Sequence, residues 1–152
     1  MLRRSVAGAT GASDASLQPV KIIDGLTGYT SQGNKIAAGL RSGDVRMNIL
    51  GDEMFAKAYA AKGGLGDAPQ AFALGNQIYL RRGSTNLLSE VVHEGTHVLD
   101  ELHGLVKVPY HINPYAWEKR AFFFERQFQR ASGGNVEFER IDSMLNFIYR
   151  NY

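Results

Sequence analysis

Cysteine is absent from the 152 residues. Disulfides are thereby excluded, and so are thiolate metal ligands and a cysteine nucleophile. No apolar run reaches the roughly 20 residues that a membrane-spanning helix needs, so no membrane partner is expected. An excess of charge of one sign is also lacking. The 17 basic and 15 acidic residues are interspersed, for a net charge of +2. This leaves no nucleic-acid footprint, and the pairs Arg3-Arg4 and Arg81-Arg82 are too short to be more than solvated surface. Arg3-Arg4 followed by Val6-Ala7-Gly8-Ala9 lacks the apolar core of a signal peptide, so localisation is left unknown. No internal repeat is found. What is present is 44% apolar and 21% charged, an ordinary balance for a globular protein, in a chain long enough for one core and hardly two.

Within this plain composition stands His93-Glu94-Gly95-Thr96-His97, the pattern His-Glu-x-x-His. It lies in a run that reads as a helix. Residues four apart share a helix face, so both imidazoles point the same way and can grip one ion. Glu94 falls at the edge of that face, where it can reach a water on the metal rather than the metal itself. Two neutral imidazoles, a carboxylate base and an open coordination position are the layout of a zinc hydrolase. The helix is well marked. Ser84-Thr85-Asn86 supplies N-cap candidates, Glu90 suits the dipole near the first turn, and Gly104 offers a stop. Leu87, Leu88, Val91, Val92, Val98, Leu99 and Leu102 surround the pair with apolar side chains, which predicts a buried helix and a dry site. Gly95 costs roughly 1 kcal/mol against Ala in a helix; its missing side chain would let a strand or a substrate backbone come close.

Two ligands do not make a site, and three residues compete for the third place. His103 follows His93 by ten positions, the interval seen in metzincins. The glycine that turns the chain out of the helix in those proteins is missing, its place taken by Asp100. If the helix runs on, His103 lies about 80° round and about 15 Å along from His93 and cannot converge on the same ion. Met144, which could be offered as a metzincin Met-turn, falls in a helical-looking segment. Glu118 and Glu125 lie in a second expected helix, with Asn113 as N-cap and Pro114 at its first position. Glu118, Ala121, Phe122 and Glu125 form one stripe at steps of three and four, and the small Ala121 would let this helix approach the first. A carboxylate on an apolar stripe is costly unless paired or metal-bound. Glu118 is therefore preferred as the ligand and Glu125 is the alternative; the other would orient a His ligand or join a salt bridge.

With these residues in place the chain resembles the gluzincin metallopeptidases, most of all their short single-domain members. The resemblance rests on His93-Glu94-Gly95-Thr96-His97-Val98-Leu99-Asp100 and on Trp117-Glu118-Lys119-Arg120-Ala121-Phe122, with Glu118 in the family's Glu-x-x-Ala place. Gly75-Asn76-Gln77-Ile78-Tyr79-Leu80 looks like the family's edge strand beside the substrate cleft. Together these cover about residues 45 to 130. The resemblance implies a zincin-like α+β fold: a small mixed sheet with an edge strand beside the active-site helix, then a mostly helical C-terminal part. It also implies one catalytic zinc per chain and hydrolysis of a protein or peptide substrate. Small domains of this kind occur among bacterial toxin and effector metallopeptidases. A cognate inhibitor or immunity protein, and delivery within a secreted effector, are expectations on that analogy alone. The missing cysteine counts against deformylase-type enzymes, which pair His-Glu-x-x-His with a cysteine ligand.

Residues 1–16 are small, polar and rich in Gly, Ala and Ser, and read as a flexible arm; residues 17–152 read as one metallopeptidase domain. Within it, residues 20–23 look like a short strand, 34–40 like a helix closed by Gly43, and 45–50 like a strand. Residues 52–62 read as a helix on a Met54, Phe55, Ala58, Tyr59 stripe, ended by Gly63-Gly64. Residues 70–74 and 77–80 predict a hairpin about Gly75-Asn76. The motif helix and the second helix, to about residue 131, follow; after Gly133-Gly134 a last helix is expected over 137–149. Phe122-Phe123-Phe124, Phe128, Phe138, Phe147 and Tyr149 read as core packing behind the site.

The loop between the motifs offers Tyr110, His111 and Tyr115, and Tyr149 is a further candidate, for the donor that a developing oxyanion needs. Asp100 could accept a hydrogen bond from a ligand His or anchor the loop. The expected chemistry has zinc on His93, His97 and Glu118 lowering the pKa of its water towards about 7. Glu94 takes the proton, the hydroxide attacks a peptide carbonyl, and Glu94 returns the proton to the leaving amine. The substrate backbone would pair with the strand at 77–80. Two other expectations compete: a non-catalytic binding module that keeps zinc or only the fold as scaffold, and a metzincin-like protease using His103. Glu94 argues against the first, since a structural site has no use for a base.

Overall fold

The computed structural model describes residues 12–152, with side chains from residue 19 onward. Strands Ala71–Leu74 (β2) and Gln77–Arg81 (β3) pair antiparallel across Gly75-Asn76. Gly75 takes φ +59°, a left-handed conformation in which a side chain would be strained. Arg46–Leu50 (β1) joins the other side of β3 in parallel, after a crossover through Asp52–Ala61 (α3), with Met47 opposite Ile78 and Ile49 opposite Leu80. The sheet order is therefore β1-β3-β2. Residues 77–80 form the central strand and not the expected edge; the open edge on the motif-helix side is β2. The alternation Gln77-Ile78-Tyr79-Leu80 reads the same at an edge or a centre, because side-chain burial does not report how many strands share the backbone bonds.

The two sheet faces are covered differently. Ile78 and Leu80 point to the face packed by Leu87–His103 (α4), where Val91, Val92, Val98 and Leu99 join them in one buried cluster with Leu26, Ile36 and Phe128. Phe72 and Tyr79 point the other way and stack at 4.7 Å, with Phe55 of α3 against Phe72 at 5.2 Å. Helices Ala12–Leu26 (α1) and Ser31–Ser42 (α2) pack on one side of α4 and Pro114–Ser132 (α5) on another; Ile141–Asn151 (α6) backs α5 through Phe122, Met144 and Ile148. Among the described residues this makes six helices and a three-stranded mixed sheet, an α+β arrangement. No helix of these is long and apolar enough to cross a membrane.

Local departures from expectation have identifiable causes. Residues 20–23 continue α1 instead of forming a strand, because Ile22 and Leu26, four apart, share its buried face. The same helix begins at Ala12, so residues 12–16 of the expected arm are helical; residues 1–11 lie outside the described residues. Helix α6 starts at Ile141 and not at 137, since the Arg126 guanidinium occupies the carbonyls of Phe138 and Glu139 at 2.8 and 2.7 Å. Arg81 is not merely solvated. It donates to the carbonyls of Pro69 and Ala68 at 3.1 and 3.2 Å and lies 4.9 Å from the Phe55 ring, tying down the approach to β2. Gly95 faces neither strand nor substrate: a Cβ there would stand 2.8 Å from Ile36 Cδ1, so its bare backbone lets α2 seat against α4.

Candidate metal centre

His93 and His97 lie one turn apart on α4, and Glu118 lies in the second turn of α5. The start of α5 is set by Asn113, whose side chain accepts from the Ala116 N–H at 3.2 Å, with Pro114 as the first helical residue. Ala121, fully buried, lets α5 close on α4. His93 Nε2 then stands 2.9 Å from Glu118 Oε1, and His97 Nε2 stands 3.1 Å from Oε2. One ligand atom from each of the three lies within 4.8 Å of the others, and this group could hold a metal ion.

Glu125, two turns on along the same stripe, meets the other nitrogen: its Oε1 is 3.0 Å from His93 Nδ1. Gln129 donates from its side-chain amide to Glu125 Oε2 at 3.4 Å and to Ser89 Oγ at 3.2 Å, and its Oε1 accepts from Glu137 N–H at 3.1 Å. Asp100 does not serve a ligand His or the loop as expected. Its two carboxylate oxygens accept from the Arg120 guanidinium at 2.8 and 2.9 Å, clamping α4 to α5 one turn past His97.

Three carboxylates, Glu94, Glu118 and Glu125, surround two imidazoles. Burial works against a charge on His93, but Glu118 and Glu125 on its two nitrogens outweigh it and hold its pKa well above the ordinary imidazole value. Burial would raise Glu118, yet hydrogen bonds from His93 and His97 hold it well below the usual carboxylate range. Glu94 moves the other way. Burial pushes its pKa up against the two imidazoles, and the Glu118 and Glu125 charges add to the rise. The cluster is thus short of positive charge. A proton on His93 is one answer to that shortage, and a divalent cation among the three ligand atoms is another. The donor set of two imidazole nitrogens and one carboxylate oxygen fits such an ion.

A cleft of about 730 Å³ opens over this group, with Glu94 on its lining. One wall is β2, with Ala71, Phe72 and Ala73; opposite stands the α4–α5 loop with Pro109 and Tyr110. The Tyr110 hydroxyl donates to Glu118 Oε2 at 2.6 Å. Burial and the Glu118 charge raise its pKa, so the phenol keeps its proton. Trp117 pins the loop by donating from Nε1 to the Val108 carbonyl at 2.7 Å. Tyr152 also lines the cleft, its pKa raised by burial and then by Glu118 and Glu94.

The remaining candidates lie elsewhere. His103 is exposed in the last turn of an unbroken α4, outside the ligand group. His111 is exposed and does not line the cleft. Tyr115 packs on Tyr149 at 6.5 Å, and Tyr149 itself is 78% exposed. Met144 is buried against Phe122 and Ile148. Sequence reasoning missed Tyr152, Lys62 and Phe72 on the cleft wall. Each arrives from an element far along the chain, and no spacing rule links it to the motif. Comparison with protein-family models, with curated proteins and with solved structures finds no match.

Proposed function

We propose that this chain is a zinc-dependent metalloendopeptidase of zincin-like fold, with His93, His97 and Glu118 as metal ligands and Glu94 as general base. The observation that carries the reading is a complete three-residue ligand group beside a further carboxylate, Glu94, that is left out of it and lines an open cleft. A structural metal site has no use for such a group. Zinc, when bound, supplies a Lewis acid and a water of lowered pKa. Glu94 accepts the proton of the attacking water on its carboxylate and delivers it to the leaving amine nitrogen. Glu125 accepts from His93 Nδ1–H, which fixes the tautomer that leaves Nε2 as the ligand atom. Tyr110 and Tyr152, both holding their protons, supply donors for the oxygen that becomes negative. The substrate backbone lies along the open edge of β2, where main-chain bonds give affinity and side-chain pockets give selectivity. A toxin or effector setting, with a cognate inhibitor protein, is proposed on the family resemblance alone.

The test measures metal and proteolysis together. Purified protein should carry about one zinc per chain and cleave peptides in a mixed proteome. Glu94→Gln should keep the zinc while turnover falls by about 10² or more. No bound metal, with no gain of activity on adding zinc, sinks the ligand assignment. Zinc-loaded protein that cleaves nothing points instead to the binding module.

A further inference from the structure

The β2 wall of the cleft carries a charge that the metal group does not use. Lys62 follows α3 directly, and its ammonium lies 5.2 Å from the Phe72 ring centre and 5.8 Å from that of Tyr59. Among the described residues no carboxylate forms a salt bridge with it, whereas Lys57 within α3 has Glu53 at 3.4 Å. Lys62, Tyr59 and Phe72 all line the cleft that contains Glu94.

The sheet register decides what this wall meets. Asn48, Tyr79 and Phe72 form one cross-strand row. A strand added to the open edge of β2 extends that row by one residue. Its side chain falls beside Phe72, on the face away from α4, while its neighbours point to the α4 face that carries His93 and Glu94. The stem of that side chain packs on the Phe72 ring, and a carboxylate at its end reaches the Lys62 ammonium in a charge-assisted hydrogen bond. A basic side chain there meets like charge.

We propose that Lys62, Tyr59 and Phe72 form a subsite that selects an acidic side chain, Asp or Glu, at one position of the substrate. The subsite rests on the reading of the cleft as a peptide site with substrate along β2. The experiment compares zinc-loaded wild type, Lys62→Ala and Lys62→Glu on a randomised peptide library, with cleaved sequences read by mass spectrometry. Glu94→Gln protein reports binding of the same peptides without turnover. Lys62 is exposed at a helix end, so both substitutions leave the core untouched. Wild type should enrich Asp or Glu at a single position by about three- to fivefold, the scale of an exposed ion pair, and the enrichment should fade in about 0.5 M salt. Lys62→Ala should flatten the preference, and Lys62→Glu should turn it to Lys or Arg at the same position. Cleavage by wild type without acidic enrichment, or an unchanged profile in Lys62→Glu, overturns the subsite and leaves the peptidase reading standing. Neither cleavage by wild type nor binding by Glu94→Gln removes the peptidase reading and the subsite with it.

Discussion

His93 and His97 sit one helical turn apart and face the same Glu118 carboxylate, yet the protein holds them in different ways. His93 is braced from behind. Its Nδ1 engages Glu125, Glu125 is held by Gln129, and Gln129 reaches the backbone ahead of α6 at Glu137. Among the described residues His97 has no such chain. Its Nδ1 is buried without a hydrogen-bond partner among the described residues, and its neighbours are the rings of Tyr110 and Trp117 at 5.9 and 6.4 Å. One imidazole is therefore aimed by hydrogen bonds that run into the core, the other by the helix backbone and by packing. A buried polar atom left unpaired costs about 1–3 kcal/mol, and that cost falls on the more exposed of the two histidines. The hydrogen-bonded bracing is therefore concentrated on His93, and His97 is held without it.

The largest effect is expected where both histidines lose their common partner. Glu118→Ala should weaken zinc far beyond the roughly 10- to 100-fold typical of an outer partner, whereas His103→Ala should leave it unchanged; competition with a chelator measures both. If His103→Ala alone releases zinc, the ligand set is wrong. The clamp past His97 comes next. Arg120→Leu strands the fully buried Asp100 carboxylate and should lower stability by about 3 kcal/mol, the low end for half of a buried pair because Arg120 is partly exposed. The double variant Asp100→Leu/Arg120→Leu should lose less, and urea unfolding distinguishes the two.

The brace itself gives a smaller and more diagnostic effect. Glu125→Gln keeps an acceptor for His93 Nδ1–H but removes its charge, and should weaken zinc about tenfold; Glu125→Ala should approach 100-fold. Among the described residues the His97 side has no equivalent. Trp117→Phe, which frees the loop from Val108, should therefore move KM while leaving zinc affinity nearly intact. Equal losses of zinc in Glu125→Ala and Trp117→Phe would remove the asymmetry. The smallest effect concerns the packing that seats α4. Gly95→Ala gains about 1 kcal/mol of helix propensity but drives a methyl into Ile36, an overlap worth about 1–3 kcal/mol. A net loss near 1 kcal/mol is expected in urea unfolding.

Much of the site was legible because its rules are local. Four-residue spacing put His93 and His97 on one face, and Asn113-Pro114 announced the helix that carries the glutamates. The stripe Glu118, Ala121, Phe122, Glu125 is buried throughout, as its steps of three and four required. The hairpin about Gly75-Asn76 and the stops at Gly43, Gly104 and Gly133 followed from turn chemistry that spans a few residues, and strand β1 from alternation along 45–50. The strand expected at 20–23 failed where β-branched residues misled and a helical stripe won.

By itself, then, the sequence determined that two imidazoles and a carboxylate share one buried helix, and that two further carboxylates line an inward face of another. It did not determine which carboxylate meets which nitrogen. The tertiary structure decided that Glu118 takes the Nε2 side and Glu125 the Nδ1 side, because this depends on how α5 is seated against α4, through Ala121 and the Asp100–Arg120 clamp. Tertiary structure likewise made β3 central and β2 the open edge, since β1 pairs from about 30 residues away. It alone brought Lys62, Phe72 and Tyr152 to the cleft. Periodicity and capping act over one or two turns of chain; which surfaces meet is settled by burial of the whole core, and no short-range pattern records it.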